Sequence, residues 1–302
     1  MMDIINGIYS GDQRSISKAI SLVEQEDKFS TDLMKSIYNR TGNSFVIGVT
    51  GPQGVGKSTL INNLVIEFSK NDDVGVLLID PTSNLSGGAF LGDRIRIINE
   101  FDNNVFIRSI ATRGNQTGLS NCIRNAIRIL EASGKKIIIV ETVGIGQKDV
   151  DLIQVFDCTL LVLMPNLGDE IQLIKAGIME YANFIIVNKF DLVGADSFLN
   201  NLRLYLSDKD SKKIIIDTIA TKRKNIDLLF KSIQSYKLKF SISDAYLMKK
   251  IEYELKEKLC STYSKKIEYC LNSDNKIKEI IEMVKNKSMD PDSASNAISK
   301  LI

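Results

Sequence analysis

A glycine-rich segment near residue 50 has the residue types and spacing of a phosphate-binding loop. It matches the pattern G-x-x-x-x-G-K-[ST] through the run Gly51, Pro52, Gln53, Gly54, Val55, Gly56, Lys57, Ser58 and Thr59. Glycines let backbone N–H groups curl around phosphates, and the helix expected to begin near Lys57 adds the partial positive charge of its N-terminus. The segment predicts a nucleotide site in which Lys57 contacts the β- and γ-phosphates and the Ser58 hydroxyl coordinates Mg²⁺.

A second motif, Asn188-Lys189-Phe190-Asp191, follows at the end of the apolar stretch Phe184–Asn188. The carboxylate of Asp191 can accept hydrogen bonds from the imino and amino groups of guanine, and adenine offers neither donor in that arrangement. A wrong base leaves the carboxylate unpaired, so such a pairing can discriminate by several orders of magnitude. Alone, the motif is also compatible with a turn at a strand end. Downstream of a phosphate-binding loop, it predicts guanine selectivity.

Three acidic residues are candidates for binding the metal and the attacking water. Asp80 and Glu141 end apolar stretches that we predict to be strands, and Asp93 stands in a Gly-Asp-Arg sequence. Acids at strand ends beside a phosphate-binding loop face the phosphates, and carboxylates bind Mg²⁺ directly or through water. Gly144, three residues after Glu141, could sense the γ-phosphate through its backbone N–H. The alternative for each acid is an ordinary cap or turn.

Three other segments have open interpretations. Ser86–Asp93 and Asn166–Glu170 carry glycines and polar residues, which is typical of switch loops and equally of plain loops. The basic run Lys222–Lys224 is interpreted as a solvated turn.

Composition narrows the chemistry and the partners. The sequence contains no His, so proton transfer must use a carboxylate, a lysine, water or the substrate's own phosphate. The four Cys residues are scattered without a C-x-x-C pair, which signals neither a disulfide framework nor a metal cluster. A net charge of +2 is no footprint of nucleic-acid binding. With no secretion signal and no apolar run near the ~20 residues that span a bilayer, we expect a cytoplasmic protein without a membrane partner.

Three zones follow one another along the chain. Residues 1–43 show helical periodicity, with Ile16, Ala19, Ile20 and Val23 on one face. Residues 44–238 alternate apolar stretches with amphipathic helices, which predicts an α/β fold with a doubly wound, mostly parallel sheet covered on both faces. The predicted strands are Phe45–Thr50, Val74–Asp80, Val105–Ser109, Ile137–Glu141, Cys158–Pro165, Phe184–Asn188 and Lys213–Thr218.

Residues 239–302 form the third zone, which we predict to be charged helices without strands. Its apolar residues Met248, Ile251, Leu255 and Leu259 recur at intervals of three and four. This face suits either an ordinary helix packed on its own domain or, because it is narrow and seam-like, a dimerisation arm.

Taken together, these motifs resemble the MeaB/ArgK-type GTPases, which are chaperones associated with methylmalonyl-CoA mutase and related cobalamin enzymes. The most specific part is Glu141–Gln147 combined with Gly168–Glu170. The other matching segments are Val46–Thr59, Ile79–Ser83, Gly87-Gly88, Leu91–Asp93, Thr112–Gly114, Pro165–Glu170, Ile174–Gly177 and Val187–Lys189. Family-like pieces at Gly11-Asp12, Leu22–Glu24 and Asp290–Ala297 extend the resemblance over nearly the whole chain.

The resemblance implies a homodimer that binds and hydrolyses GTP with Mg²⁺ and carries three mobile loops that communicate with a mutase. It suggests Ser58, Asp80, Asp93 and Glu141 as the metal-side residues and places a third switch around Asn166–Lys175. By analogy, the protein gates cobalamin loading and protects a cobalamin-dependent acyl-CoA mutase, with hydrolysis acting as a timer.

The sequence departs from the family's pattern at several positions. Lys148-Asp149 stands where Ser-Glu is usual, and the base-contacting loop, often Ser-Gly or Ser-Ala, reads Ile219, Ala220 and Thr221. Asn225 replaces a frequent glycine, although Asn also tolerates a left-handed turn. Gln147 could position the attacking water or face outward.

Two alternative functions remain open at this stage. A metal-insertion GTPase of the hydrogenase or urease type is disfavoured because such proteins need His or clustered Cys ligands. An arginine/ornithine transport-system kinase, an older label in this family, is disfavoured because a kinase would more naturally use ATP, whereas Asn188–Asp191 predicts guanine selectivity.

Overall fold

The computed structural model describes residues 1–25, 27–80, 104–111, 119–142, 152–165, 178–207, 213–240 and 244–301. The chain forms two compact units, Met1–Ser241 and Ile242–Ile302. Asp93, Gly144, Gln147 and the predicted switch segments Ser86–Asp93 and Asn166–Lys175 lie outside the described residues, as does the side chain of Asp80.

In the described part of the first unit, seven parallel strands form one sheet in the order β3-β2-β4-β1-β5-β6-β7. The strands are β1 (Phe45–Thr50), β2 (Val74–Asp80), β3 (Val105–Ala111), β4 (Ile137–Glu141), β5 (Cys158–Leu163), β6 (Phe184–Val187) and β7 (Ile214–Asp217). Parallel sheets are covered on both faces, so their strands are continuously apolar, and every residue of β1, β5 and β6 is buried. The predicted fold class is confirmed.

Three of the seven strands have the predicted bounds, and the other four differ by one or two residues at one or both ends. β1, β2 and β4 have the predicted bounds, and β3 is longer by two residues. β5 stops before Pro165, which has no N–H to donate to a neighbouring strand. β6 stops at Val187 rather than Asn188, because Lys189 has a φ of 55° that turns the chain out of the sheet. β7 is one residue shorter at each end than predicted.

Helices cover both faces of the sheet. The first unit contains α1 (Met2–Tyr9), α2 (Gln13–Glu24), α3 (Ser30–Ile37), α4 (Lys57–Phe68), α5 (Leu119–Ala132), α6 (Ile178–Tyr181), α7 (Ala195–Ser207) and α8 (Ile226–Lys239). Neighbouring side chains of a strand point to opposite faces, so Val46 joins a core with α1–α3, α5 and α7, and Ile47 joins the core with α4 and α8. The predicted N-terminal helical face is buried in the first core, through Ile16, Ala19, Ile20 and Val23.

The second unit consists of α9 (Asp244–Ser273), α10 (Asn275–Lys285) and α11 (Pro291–Ser299). Side chains cap the last two helices: Asp274 accepts from the Lys276 N–H, and Asp290 accepts from the N–H groups of Asp292 and Ser293. None of the 30 residues of α9 is buried. Its predicted apolar face is exposed, from 38% at Ile251 to 56% at Leu259.

No helix in the described residues is both long and apolar enough to cross a membrane.

Candidate nucleotide-binding site

The carboxyl edge of the sheet brings the two predicted motifs to one place. β1 lies between β4 and β5, and its end leads through Gly51–Gly56 into α4. The ends of β4, β6 and β7 lie along the same edge, because all these strands are parallel. In open α/β sheets, ligands bind outside the carboxyl ends of the strands at such a point.

Two glycines are required by the shape of the loop. A Cβ on Gly51, whose φ is 150°, would lie 2.2 Å from the Val162 carbonyl oxygen. A Cβ on Gly56, whose φ is 95°, would lie 2.4 Å from Nδ2 of Asn188. Any side chain at either position therefore collides with its neighbour and strains the backbone as well.

Lys57 folds back over the loop that precedes it. Its Nζ donates to the carbonyl oxygens of Gly51 and Pro52, at 2.9 Å each, and the residue is only 7% exposed. The ammonium therefore lies at the N-terminus of α4, where the helix dipole favours an anion. A phosphate in the loop would lie beside this charge.

Ser58 and Glu141 meet beside the loop. The Ser58 hydroxyl donates to both oxygens of Glu141, at 3.1 Å to Oε1 and 3.3 Å to Oε2. Asp80 ends the neighbouring strand β2, two residues beyond the β2 position paired with Glu141. Of the four residues expected on the metal side, the described structure brings Ser58 and Glu141 into contact and places Asp80 at the same sheet edge.

A pair of buried threonines joins the ends of β1 and β4. The Thr142 hydroxyl donates to the Thr50 hydroxyl oxygen at 3.0 Å, and the Thr142 N–H donates to the Val49 carbonyl at 3.0 Å. Both threonines are at most 1% exposed. These bonds hold Glu141 next to the start of the phosphate loop, a role that the sequence did not indicate for either threonine.

Asn188 connects the predicted phosphate loop with the end of β7 and the turn that follows it. Its Nδ2 donates to the Val55 carbonyl at 2.8 Å. Its Oδ1 accepts from the Thr218 hydroxyl at 3.1 Å and from the Ala220 N–H at 3.0 Å. The residue is 2% exposed, so all three bonds are made away from water, where an unmade bond is costly.

The turn after β7 contributes a cation beside Asp191. Ala220–Lys222 form one 3₁₀ turn, in which Ala220 is buried, as is the preceding Ile219, whereas Thr221 is exposed. Nζ of Lys222 lies 3.0 Å from Oδ2 of Asp191. This hydrogen bond is the main reason that the pKa of Asp191 lies below its ordinary value. The carboxylate is therefore ionised at neutral pH.

The basic residues at the end of this turn form ion pairs that the sequence did not indicate. Lys222 and Arg223 are exposed, as expected of a solvated turn, but each is paired. Arg223 forms an ion pair with Glu67 and donates to Oδ1 of Asn63 at 3.1 Å. Asn63 and Glu67 belong to α4 and are buried. Polar residues inside the apolar stripe of α4 were the signal that could have revealed this connection.

The residue types at the sheet edge suit a hard divalent cation. Ser58 and Glu141 supply hydroxyl and carboxylate oxygens, which are the ligands Mg²⁺ prefers. Within the described residues, no group of three or more Asp, Glu, Cys or His side chains could hold a metal. A nucleotide site does not need one, since part of the metal's coordination comes from the phosphates.

Comparison with known proteins agrees with this geometry. The family described as "Methylmalonyl Co-A mutase-associated GTPase MeaB" matches residues 16–267. The chain belongs to this family. It is a P-loop GTPase, a hydrolase. A protein of Pyrococcus horikoshii that is named as a GTPase is 42% identical to this MeaB-family chain, over 99% of the chain and 98% of the relative.

Two other similarities extend the comparison. A fused isobutyryl-CoA mutase of Geobacillus kaustophilus is 36% identical over 64% of this MeaB-family chain, and the match covers 19% of that relative. The crystal structure of an LAO/AO transport system kinase has a TM-score of 0.72 at 23% identity, covering 99% of this chain and 96% of that one. At that identity, the second likeness shows the fold alone.

Proposed function

We propose that this protein is a Mg²⁺-dependent chaperone that binds and hydrolyses GTP to gate cofactor loading and protection of a cobalamin-dependent acyl-CoA mutase. The observation that supports the nucleotide part most directly is the set of bonds made by Asn188. They connect the phosphate loop at Val55 with the 3₁₀ turn Ala220–Lys222, which we call the base-side turn because we propose that it lies beside the base. We infer that the nucleotide spans both segments, with its phosphates at the loop and its base at the turn.

In the proposed mechanism, the chain positions the nucleotide and supplies fixed charge. The N–H groups of Gly51–Gly56 and the Lys57 ammonium would bind the β- and γ-phosphates. Ser58 and Glu141, with Asp80 and Asp93, would hold Mg²⁺ directly or through water. Bound Mg²⁺ neutralises charge that develops on the phosphate oxygens. Gly144 would sense the γ-phosphate, and Asp191 would accept from guanine.

The metal assignment predicts a higher Mg²⁺ requirement in Glu141→Gln. The substitution keeps the size of the side chain and a partner for Ser58 but removes the negative charge that attracts the cation. We expect the Mg²⁺ concentration for half-maximal GTP turnover to rise about tenfold or more, the scale of other losses around metal sites. Turnover measured over a Mg²⁺ titration tests this, and an unchanged midpoint would remove Glu141 from the metal side. Glu131→Gln, away from this sheet edge on α5, is the control.

The mutase partner is supported by the relatives. The family description names a mutase-associated GTPase, and a relative is fused to isobutyryl-CoA mutase. Fusion of two functions in one chain is typical of proteins that otherwise act as a complex. A partner that prefers one nucleotide state must in return alter nucleotide affinity, because coupling between two binding sites is reciprocal.

The test of this proposal is GTP turnover with and without the cobalamin-dependent acyl-CoA mutase from the same cell. We expect the mutase to accelerate hydrolysis and to change the affinity for the nucleotide by about 5- to 150-fold, the usual range of coupling between two binding sites. Binding should also differ between GDP and a non-hydrolysable GTP analogue. No change in rate and no complex in either nucleotide state would refute the chaperone function and leave a GTPase without this partner.

We also propose a homodimer formed through the exposed face of α9. Leu255 and Leu259 are 54% and 56% exposed, and pairing with a copy of the chain would remove this apolar surface from water. Light scattering should show a full-length dimer at micromolar concentration and a monomer for Leu255→Asp/Leu259→Asp. Leu238→Asp, at a position 87% exposed on α8, should remain dimeric. A full-length monomer would contradict the proposal.

A further inference from the structure

Two buried asparagines bracket the peptide groups of Ala220 in the base-side turn. The Ala220 N–H donates to Oδ1 of Asn188 at 3.0 Å. The Ala220 carbonyl accepts from Nδ2 of Asn63 at 2.8 Å. Asn63 is 6% exposed and Asn188 is 2% exposed. Asn188 belongs to a recognised motif, whereas Asn63 lies in the middle of α4 and belongs to none.

The amide of Asn63 is itself held in place. Its Oδ1 accepts from Nη1 of Arg223 at 3.1 Å, and Arg223 also pairs with Glu67, one helical turn further along α4. Arg223 directly follows the turn and has a φ of 53°. The turn Ala220–Lys222 is therefore fastened to α4 at its first residue and just after its last.

This attachment reaches the base-reading carboxylate through Lys222. Lys222, the last residue of the turn, holds Oδ2 of Asp191 at 3.0 Å. Hydrogen bonds weaken steeply when distance or angle departs from the optimum, so a small shift of the turn would move the carboxylate away from a guanine edge. α4 also carries Lys57 and Ser58, and a helix holds a site more rigidly than a loop does.

We propose that Asn63 is a positioning residue for base selection. By donating to the Ala220 carbonyl, it fixes the base-side turn on α4, the helix whose first residues would bind the phosphates and the metal. This inference rests on the proposed base-reading role of Asn188 and Asp191. The side chain of Asn63 contacts the Ala220 carbonyl and Arg223, so we assign it a positioning role and not a contact with the nucleotide. Its effect passes through Ala220 and Lys222 to Asp191.

The test compares GDP with inosine diphosphate, which differs only by lacking the amino group that Asp191 would accept from. The dissociation constants of both are measured by calorimetry on the full chain. For the wild type we expect GDP to bind roughly ten- to a hundredfold more tightly, the value of a hydrogen bond to a charged group. In Asn63→Leu, which has similar size but no amide, that ratio should fall at least about fivefold.

A second variant and a matched control separate positioning from stability. Asn63→Asp keeps an acceptor for Arg223 but replaces the donor to Ala220 with a negatively charged oxygen that repels the carbonyl, so its ratio should fall too. The control is Asn104→Leu. Nδ2 of Asn104 donates to the carbonyl of Ser69 at 2.7 Å, and Ser69 follows the end of α4 that is away from the phosphate loop. Asn104→Leu loses the same kind of hydrogen bond as Asn63→Leu. It should keep the wild-type ratio of the two dissociation constants, even if its unfolding temperature falls as much as that of the Asn63 variants.

Each result has a defined meaning. A reduced ratio in both Asn63 variants, with an unchanged ratio in Asn104→Leu, supports the positioning role. Equal weakening of GDP and inosine diphosphate, or a wild-type ratio in whichever Asn63 variant folds, overturns it, since a merely structural bond would act on both nucleotides alike. A wild type that does not distinguish the two nucleotides would instead refute the proposed base reading by Asp191.

Discussion

Lys57→Met should lower the rate of GTP hydrolysis by about 10²–10³-fold, equivalent to ~3–4 kcal/mol of transition-state stabilisation. Methionine keeps most of the length and apolar volume of lysine but has no charge. In the structure, the ammonium is already held over the loop by the carbonyls of Gly51 and Pro52. This pre-positioned charge costs no reorganisation when negative charge develops on the transferring phosphoryl group, which is why its loss should affect turnover so strongly.

The control for this experiment is a second lysine of similar environment. The Lys135 side chain is 8% exposed, and its Nζ donates to the Asn104 carbonyl at 2.9 Å. It lies two residues before β4, at the opposite edge of the sheet from the phosphate loop. Lys135→Met should lower thermal stability but leave kcat within about twofold of the wild type. Single-turnover hydrolysis at saturating GTP and Mg²⁺ measures both variants, and a Lys57→Met enzyme with wild-type turnover would exclude the lysine from catalysis.

Local pattern was enough to predict the sheet and the two motifs. Apolar runs bounded by glycine and acidic residues gave β1, β2 and β4 with their observed bounds. Parallel strands that are buried on both faces have continuously apolar sequences, which is why these runs could be recognised as strands. Position along the sheet edge then follows from topology, so Ser58 and Glu141, which are 83 residues apart, could be expected near each other.

Contacts that depend on the turn after β7 were not predictable in this way. Asn188 was expected to act on the base, yet its bonds to Val55 and Ala220 span 133 and 32 residues. Sequence spacing carries no information about which carbonyl a side-chain amide will reach. Arg223 has a side chain that is 43% exposed, and nothing in its neighbours distinguishes it from a solvated basic residue.

The sequence does contain a signal for the contact between α4 and the turn after β7. Asn63 and Glu67 stand among Leu60, Ile61, Leu64, Val65 and Phe68, the apolar stripe of α4. A buried polar side chain needs a hydrogen-bonding partner, so two polar residues in that stripe indicate a polar contact across the core face. The partner itself, the turn at Ala220 with Arg223, required the structure.

Asp191→Asn should convert a guanine-binding site into one that prefers xanthine. The amide can donate to the 2-carbonyl of xanthine but can no longer accept from both donors of guanine. We expect GDP affinity to fall by about a hundredfold, since a site built for a specific hydrogen bond rejects a ligand that leaves it unpaired. Xanthosine diphosphate should become the tighter ligand. Wild-type protein should bind ATP far more weakly than GTP, and equal binding of the two would show that the guanine assignment is wrong.

The environment of Asp191 adds a pH dependence to this prediction. Lys222 lowers the pKa of the carboxyl in the folded protein, so the charged acceptor is present at neutral pH and is lost only when pH falls through that lowered value. The ratio of the wild-type affinities for GDP and inosine diphosphate, which carry the same phosphates, should therefore stay constant from about pH 8 to about pH 5, because the ordinary carboxyl pKa is near 4. Lys222→Met should shift the acid limb of the affinity profile upward, since the cation that favours ionisation is gone.

Competition binding with GDP, xanthosine diphosphate and inosine diphosphate between about pH 8 and pH 4 measures both effects, because the phosphates are the same in all three nucleotides. Asp196→Asn is the matched control, because Asp196 is an exposed acid in the first turn of α7, five residues further along the chain. It should leave the nucleotide preference and the acid limb unchanged. An Asp191→Asn protein that still prefers GDP would contradict the base-reading assignment, because a residue that only shapes the turn would affect guanine and xanthine nucleotides to the same extent.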